Sequence, residues 1–274
     1  MTTAASWLSE LNSYYTPTST QFDGARAHRA SIESRLDRDL GVGEMFEIGS
    51  LRHGTGVYNY SDADYLVSLK GFRPDSSLTM LNKVKESLQG RFFSTTIGVR
   101  RPAVVCQFAD GVVEVVPAYA SSGTGYWIAD PTGGWMLTHP KDHNTWVNSV
   151  NNKHDGAAKR LARQLKVWKY RRNVPVSSCY LEMRAAKHMD GESSYHSTWD
   201  LHAVLKKLQD NSLAAMNDPT GLGSRFTAYS SEASRTDALS KLSTAVNRAS
   251  KARDYASAGD HANAIAQLKL LFDR

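Results

Sequence analysis

The chain has 274 residues, 41% of them apolar and 22% charged, with a formal net charge of +6 at pH 7. That length allows one large or two medium domains around a substantial core, and the composition fits a soluble globular protein. No apolar run approaches the ~20 residues needed to span a bilayer, and the modest basic surplus suits a pocket for polyanionic nucleotides without requiring a nucleic-acid partner.

In chain order, the opening MTTAASWLSE lacks a basic segment followed by an apolar core, so no secretion signal is expected and the protein is assigned to the cytoplasm. Helices are expected over about 4–15 and 19–40, the second with Phe22, Ala25, Ile32 and Leu36 at near-helical spacing and Gly41 and Gly43 as C-terminal caps. A short apolar strand (Met45, Phe46, Ile48) then runs into Gly49-Ser50, where backbone amides are placed to face an anion and a Cβ would obstruct close approach. After a turn-rich segment the chain enters Asp62-Ala63-Asp64 and a second apolar run, Tyr65-Leu66-Val67. Side chains at i and i+2 of a strand share a face, so the two aspartates project side by side with no adjacent Lys or Arg to neutralise them. A divalent cation removes that conflict, because Mg²⁺ takes carboxylate oxygens together with substrate phosphates.

A lone D-x-D is commonly a solvated turn; the signal here lies in the ordered combination. Pro74-Asp75-Ser76-Ser77 reads as a turn and N-cap for a helix to about residue 88. Strands are expected near 95–99 and 103–108, followed by Val112-Val113-Glu114-Val115-Val116 after the Asp110-Gly111 hairpin signal. Beside the aspartate strand, Glu114 would complete a three-carboxylate cluster; the alternative is a solvent-facing charge on an edge strand. Alternating helices and strands followed by a meander predict a mixed sheet, not a doubly wound parallel one.

Gly49-Ser50, Asp62-x-Asp64 and Glu114 together resemble the signature of the polymerase-β-like nucleotidyltransferases. The fuller string is similar to the bacterial cGAS/DncV-like nucleotidyltransferases (CD-NTases) of CBASS anti-phage defence. The resemblance implies an α+β protein in two parts. Residues 1–150 would form the nucleotidyltransferase lobe, a mixed sheet flanked by helices with an N-terminal bracing helix. Residues 151–274 would form a helical-bundle lobe closing the nucleotide cleft.

The remaining chain extends the resemblance. Residues 118–154 are rich in Gly, Ser, Asn, Trp and His, and the order of Trp127, Trp135 and Trp146 is similar to the family segment that follows the third carboxylate. Each aromatic there either stacks on a base or fills the junction between lobes. Residues 157–170 form a strongly amphipathic helix whose Lys159, Arg163 and Lys166 read, by themselves, as a solvated basic face. By resemblance Lys166 touches triphosphate. Ser177-Ser178-Cys179-Tyr180-Leu181-Glu182 resembles the family's S-Y-L-L-E, which gives Ser178 a phosphate role and puts Cys179 where a tyrosine is usual. Helices over about 198–209, 231–256 and 260–272 complete the chain, the last with Asp260 as N-cap; Asp218-Pro219-Thr220-Gly221 marks a loop between them.

The activity implied is template-independent joining of nucleoside triphosphates (ATP, GTP, UTP or CTP) into a cyclic di- or oligonucleotide messenger. A ribose hydroxyl attacks an α-phosphate and pyrophosphate leaves. Asp62, Asp64 and Glu114 would hold two Mg²⁺ ions, with Mn²⁺ a possible substitute, while Gly49, Ser50, Lys166 and Ser178 hold the triphosphate. Arg52, Thr55 and Tyr180 are further candidates for base or phosphate contacts, with His53 either assisting or merely solvated. The messenger would act on a product-activated CBASS effector protein, with no template nucleic acid and no membrane involved. The competing reading keeps the carboxylates and makes RNA or protein the acceptor, as in toxin-type enzymes. A zinc-dependent, DNA-activated sensor fits badly, since Cys106 and Cys179 are the only cysteines and no Cys/His cluster stands at metal-ligand spacing.

Overall fold

A computed structural model describes residues 2–274. Helix α1 (Ala4–Tyr14) opens with a capping box at Thr3. The next helical stretch is interrupted rather than continuous: a 3-10 turn (Ser19–Phe22), α2 (Asp23–Ala27) and α3 (Arg29–Leu40), with His28 at the break stacked on Phe108 at 3.6 Å. Gly41, at φ +73°, ends α3. Gly43 is no cap: it lies inside β1 (Val42–Glu47), where Val42 already pairs with the next strand.

A single turn of helix, α4 (Gly49–His53), leads to β2 (Ala63–Leu69), and α5 (Ser77–Gln89) follows with Ser76 accepting from the Thr79 amide. The meander comprises β3 (Thr96–Arg100), β4 (Ala103–Phe108) and β5 (Gly111–Ala120). The Gly/Ser-rich segment after it contains two short strands that its composition concealed, β6 (Tyr126–Ala129) and β7 (Trp135–Thr138), and then α6 (Pro140–Lys153). The sheet runs β1-β2-β5-β4-β3, with β6 and β7 continuing from the far end of β5; β2 and β5 are parallel and the other pairs antiparallel. It is therefore mixed, as the alternation of elements predicts.

Strand periodicity divides the sheet chemically. On one face Ala63, Tyr65, Val67, Val113 and Val115 pack against α3 (Ile32, Leu36) and α5 (Met80, Leu81, Val84, Leu88). The other face carries Asp62, Asp64 and Leu66 from the β2 segment and Glu114, Val116 and Ala118 from β5, with a small apolar patch behind the acids. One covered face and one partly open face leave room for a cleft.

The rest of the chain is helical: α7 (Ala157–Arg171), α8 (Ser178–Asp190), α9 (Ser197–Asp210), α10 (Glu232–Ser257) and α11 (His261–Phe272), the last capped by Asp260. These share a core with Ala4, Trp7, Leu8 and Leu11 of α1 and with Val147 and Val150 of α6. The packing thus departs from a division at residue 150: the apolar stripe of α1 is buried in the helical core, Trp7 against Phe272, and α6 crosses the boundary. The architecture is α+β, a mixed sheet flanked by helices with a helical lobe beside it. Among the described residues no helix is long and apolar enough to cross a membrane.

Candidate active site

The sheet register determines which carboxylates meet. Asp64 and Glu114 are direct partners on the parallel strands β2 and β5, and Asp62, two residues before Asp64, shares their face. All three line a cleft of about 580 Å³ between the sheet and helices α7 and α8, a size suited to a nucleotide. Gly49 and Ser50 line it too. Their turn is held against β2 by the Ile48 amide, which donates to the Asp64 carbonyl at 2.9 Å. Gly49 has φ +62°, and a Cβ there would fall 2.3 Å from Asp64 Oδ2. Glycine is required because the carboxylate is there.

The cluster is short of positive charge. Burial, then the neighbouring Asp62 charge, push Asp64 up to about 7, against the pull of Lys166, Arg100 and a hydrogen bond from the Ser50 amide. Burial also raises Asp62, with the Arg100 guanidinium opposing it. Hard oxygen donors with unbalanced charge at one end of a cleft fit Mg²⁺ or Mn²⁺ and do not suit a soft, thiolate-seeking metal.

Ser178, at the start of α8, accepts from Lys169 Nζ at 2.9 Å and lies 3.2 Å from the Tyr170 hydroxyl. Lys169 faces the cleft; burial, then repulsion from Lys166 and Arg100, lower its ammonium to about 8. Tyr170 stacks on Tyr60 at 4.9 Å, and both rings border the cavity. Lys169, Tyr60 and Tyr170 escaped the sequence reading. The signal for Lys169 was its i+3 spacing from Lys166, which puts both on one side of α7.

Lys166 reaches the same cleft but is already engaged. Only 1% exposed, it sets Nζ 2.5 Å from Glu182 Oε2 and 2.8 Å from Thr55 Oγ1. Glu182 also accepts from the Thr55 hydroxyl and bonds His53 Nδ1. Burial alone would raise the Glu182 carboxyl, yet Lys166 and His53 hold it well below the usual carboxylate range. Arg163 extends the junction, donating to the carbonyls of Gly54 at 2.8 Å and Gly56 at 2.9 Å. The basic side of α7 is therefore an internal seam joining sheet lobe to helical lobe, and the solvated reading of Arg163 and Lys166 does not hold.

Three further candidates fall outside the cleft. Arg52 is exposed on α4 and does not line the cavity. Thr55 is fully buried in the Glu182 network. Tyr180 is fully buried with its hydroxyl on the Ala214 carbonyl at 2.8 Å, so it cannot replace the missing stacking ring at Cys179. Cys179 itself borders the cavity and is exposed to solvent. Trp127 and Trp135 clasp Arg73, at 4.3 and 5.4 Å, and Trp146 packs on the helical core; none of the three lines the cleft. Asp218 ties its loop to α6 through His143 at 2.7 Å and accepts from the Thr220 and Gly223 amides.

A second group with metal-ligand chemistry has His188 on α8, Glu192 in the connection that follows and Asp200 on α9, a grouping that no spacing in the sequence announces. Its atoms are largely used internally: His188 Nε2 bonds Asp200 Oδ1 at 2.8 Å, and Asp200 Oδ2 accepts the His196 amide at the start of α9.

The chain is similar to proteins of known name. A probable cyclic nucleotide synthase of Bacillus cereus is 25% identical over 209 residues, covering 72% of this chain and 62% of the relative. A cyclic AMP-AMP-AMP synthase of an Acinetobacter species is 26% identical over 212 residues, covering 71% and 61%. The chain spans about three fifths of the length of these relatives. In structure, Escherichia coli CdnC with ATP superposes with TM-score 0.74 at 15% identity, covering 98% of this chain and 97% of that one. Bradyrhizobium diazoefficiens CdnG with GTP gives 0.73 at 13% identity, covering 99% and 98%. At those identities the likeness carries the fold. The family match is direct: residues 1–151, more than half of the chain, match the Second Messenger Oligonucleotide or Dinucleotide Synthetase (SMODS) domain, and the chain belongs to that family of cGAS/DncV-like nucleotidyltransferases.

Proposed function

We propose that the protein is a template-independent nucleotidyltransferase that joins nucleoside triphosphates into a cyclic di- or oligonucleotide second messenger. The observation that carries this reading is the register of Asp64 with Glu114, with Asp62 on the same face, at the mouth of a nucleotide-sized cleft beside Gly49-Ser50. The names of the relatives point the same way, one as a probable cyclic nucleotide synthase and one as a cyclic AMP-AMP-AMP synthase.

Asp62, Asp64 and Glu114 would hold divalent cations, Mg²⁺ by preference. Bound there, two such ions supply stabilisation of the attacking and leaving oxygens of an in-line displacement at phosphorus. The residues of the chain do the rest. Gly49 lets the backbone pass close to Asp64, so that the carboxylate and the Ser50 amide share one edge of the cleft. Lys169 and Ser178 present an ammonium and a hydroxyl, already in contact, to a polyphosphate. Lys166 adds its field from below while remaining bonded to Glu182. The Tyr60–Tyr170 pair offers an aromatic wall on which a base or ribose can lie. An acceptor hydroxyl from a second nucleotide in the same cleft closes the reaction, with pyrophosphate leaving and a phosphodiester formed.

A cytoplasmic setting, where nucleoside triphosphates are available, accompanies this reading, and an effector protein that responds to the messenger is its partner. The test is incubation with the four labelled nucleoside triphosphates and Mg²⁺. A phosphatase-resistant product, identified by mass spectrometry and formed without RNA or protein, is the expected result. A label that appears only on added RNA or protein assigns the carboxylates to another acceptor.

A further inference from the structure

One cation already stands among the acids. Arg100, the last residue of β3, contacts Glu114 Oε1 with Nη2 and sets the same nitrogen 3.4 Å from Asp62 Oδ2. We infer that Arg100 is the resident counter-cation of the acid cluster, a positioning residue whose guanidinium must swing away before a divalent metal can load. The inference rests on the reading of Asp62, Asp64 and Glu114 as a metal site.

Three observations carry it. The sheet brings the arginine there: Gly98 of β3 pairs with Val105 of β4, which pairs with Glu114, which pairs with Asp64, so these four residues form one row across the face. Arg100, two residues beyond Gly98, shares that face. Its own pairing partner is the small Ala103, and nothing lies within 4 Å of where a Gly98 Cβ would be. A long side chain therefore has an open path over the strands to the carboxylates.

Second, Arg100 does little else. Its only side-chain hydrogen bond among the described residues goes to Asp62, whereas Arg163 anchors two backbone carbonyls. Its side chain is 64% exposed, so leaving the acids disrupts no packing.

Third, the chemistry is exclusive. A divalent ion needs the oxygens of Asp62 and Glu114 that the guanidinium contacts, and two cations cannot share them at contact distance without strong repulsion. Arginine stays protonated at any physiological pH, so the competition cannot be relieved by deprotonation. It must be relieved by movement. The arm keeps the acids apart from each other's charge when metal is scarce and sets a threshold for loading.

The test uses Mn²⁺ alone, titrated into the nucleotide-free protein and followed by the electron paramagnetic resonance signal of the free ion. If the arm rests on the acids about nine-tenths of the time, the apparent affinity is weakened about tenfold. Arg100→Gln is therefore expected to tighten Mn²⁺ binding by roughly five- to tenfold, with Arg100→Lys between the two because lysine is a shorter, monodentate cation. Equal or weaker binding in both variants, with unchanged melting curves, overturns the inference. An Asp62→Asn/Asp64→Asn control separates the two claims. If Mn²⁺ binding survives in it, the metal-site reading fails; if it is lost there while Arg100→Gln binds like wild type, only the role of Arg100 fails.

Discussion

Two sets of charged side chains share the cleft and are treated in opposite ways. His53, Thr55 and Lys166 are buried and each bonded to the buried Glu182, and the network ties the sheet lobe to the helical lobe. Asp62, Asp64 and Glu114 are crowded and under-neutralised, with burial raising the first two and one exposed arginine as direct partner. The first set is what folding makes of charge when charge holds a structure: both Glu182 oxygens, the Thr55 hydroxyl, Lys166 Nζ and His53 Nδ1 are all bonded within it. The second is what remains when the mate is expected from outside. An unsatisfied cluster next to a satisfied one marks where a ligand belongs more sharply than either would by itself.

If that contrast is right, removing charge has opposite consequences on the two sides. Asp62→Asn/Asp64→Asn is expected to abolish product formation, a loss on the order of 10⁴-fold or more. Its melting temperature should be unchanged or higher, since two repelling carboxylates become neutral amides. A variant that loses activity only because it unfolds would erase the distinction. Glu182→Gln should do the reverse. Removing one member of a buried charge network costs about 3–5 kcal/mol, because Lys166 and His53 are left without their partner. For a chain of this size that is a fall in melting temperature on the order of 10 °C by calorimetry.

Gly49→Ala sharpens the boundary between the two sets. The new methyl would meet Asp64 Oδ2 at 2.3 Å in a backbone conformation, φ +62°, that alanine resists. Strain of about 1–3 kcal/mol and a displaced Asp64 are expected, with activity down roughly 10²-fold and the fold retained by circular dichroism. Activity near wild type would mean that the glycine serves the turn alone.

How much of this was legible in the sequence follows the same division. The acid cluster was readable because each step is local: a spacing of two on a strand, and a β-branched run around one glutamate after a hairpin signal. The satisfied network was not. His53 and Glu182 are 129 positions apart, and nothing near either residue names the other. A basic stripe on α7 looks like a solvated face until the fold buries it under the carbonyls of Gly54 and Gly56. Arg100 is hidden for a related reason, since the charge that meets Asp62 is absent from its sequence neighbours and comes from three strands away in the sheet. Strands β6 and β7 are four residues each, too short to show a period against a background of Gly, Ser and Trp. Gly43 reads as a cap because glycine after a helix usually is one; here Gly41 already ends α3 at φ +73° and Gly43 lies within β1.

The smallest expected effect concerns Lys169, which stands between the two sets: half-buried where the network is fully buried, among the described residues bonded only to Ser178, and open to the cleft. Burial and the nearby Lys166 and Arg100 charges lower its ammonium to about 8 from the ordinary lysine range. A depressed lysine is less protonated in the folded chain than in the unfolded one between about 8 and its ordinary value. Stability from this group therefore rises with pH across that window, while the charge available for a polyphosphate disappears across it. Nucleoside triphosphate binding restores the proton, because the incoming negative charge favours the ammonium. Affinity in Mg²⁺-free buffer should thus weaken between pH 7 and pH 9, by a factor on the order of ten, and binding at pH 8.5 should take up protons. Lys169→Met should bind with the weaker affinity at both pH values. Calorimetric titration in two buffers of different ionisation enthalpy reads both quantities at once. If the pH dependence persists in Lys169→Met, the titrating group lies elsewhere and Lys169 belongs with the structural charges after all.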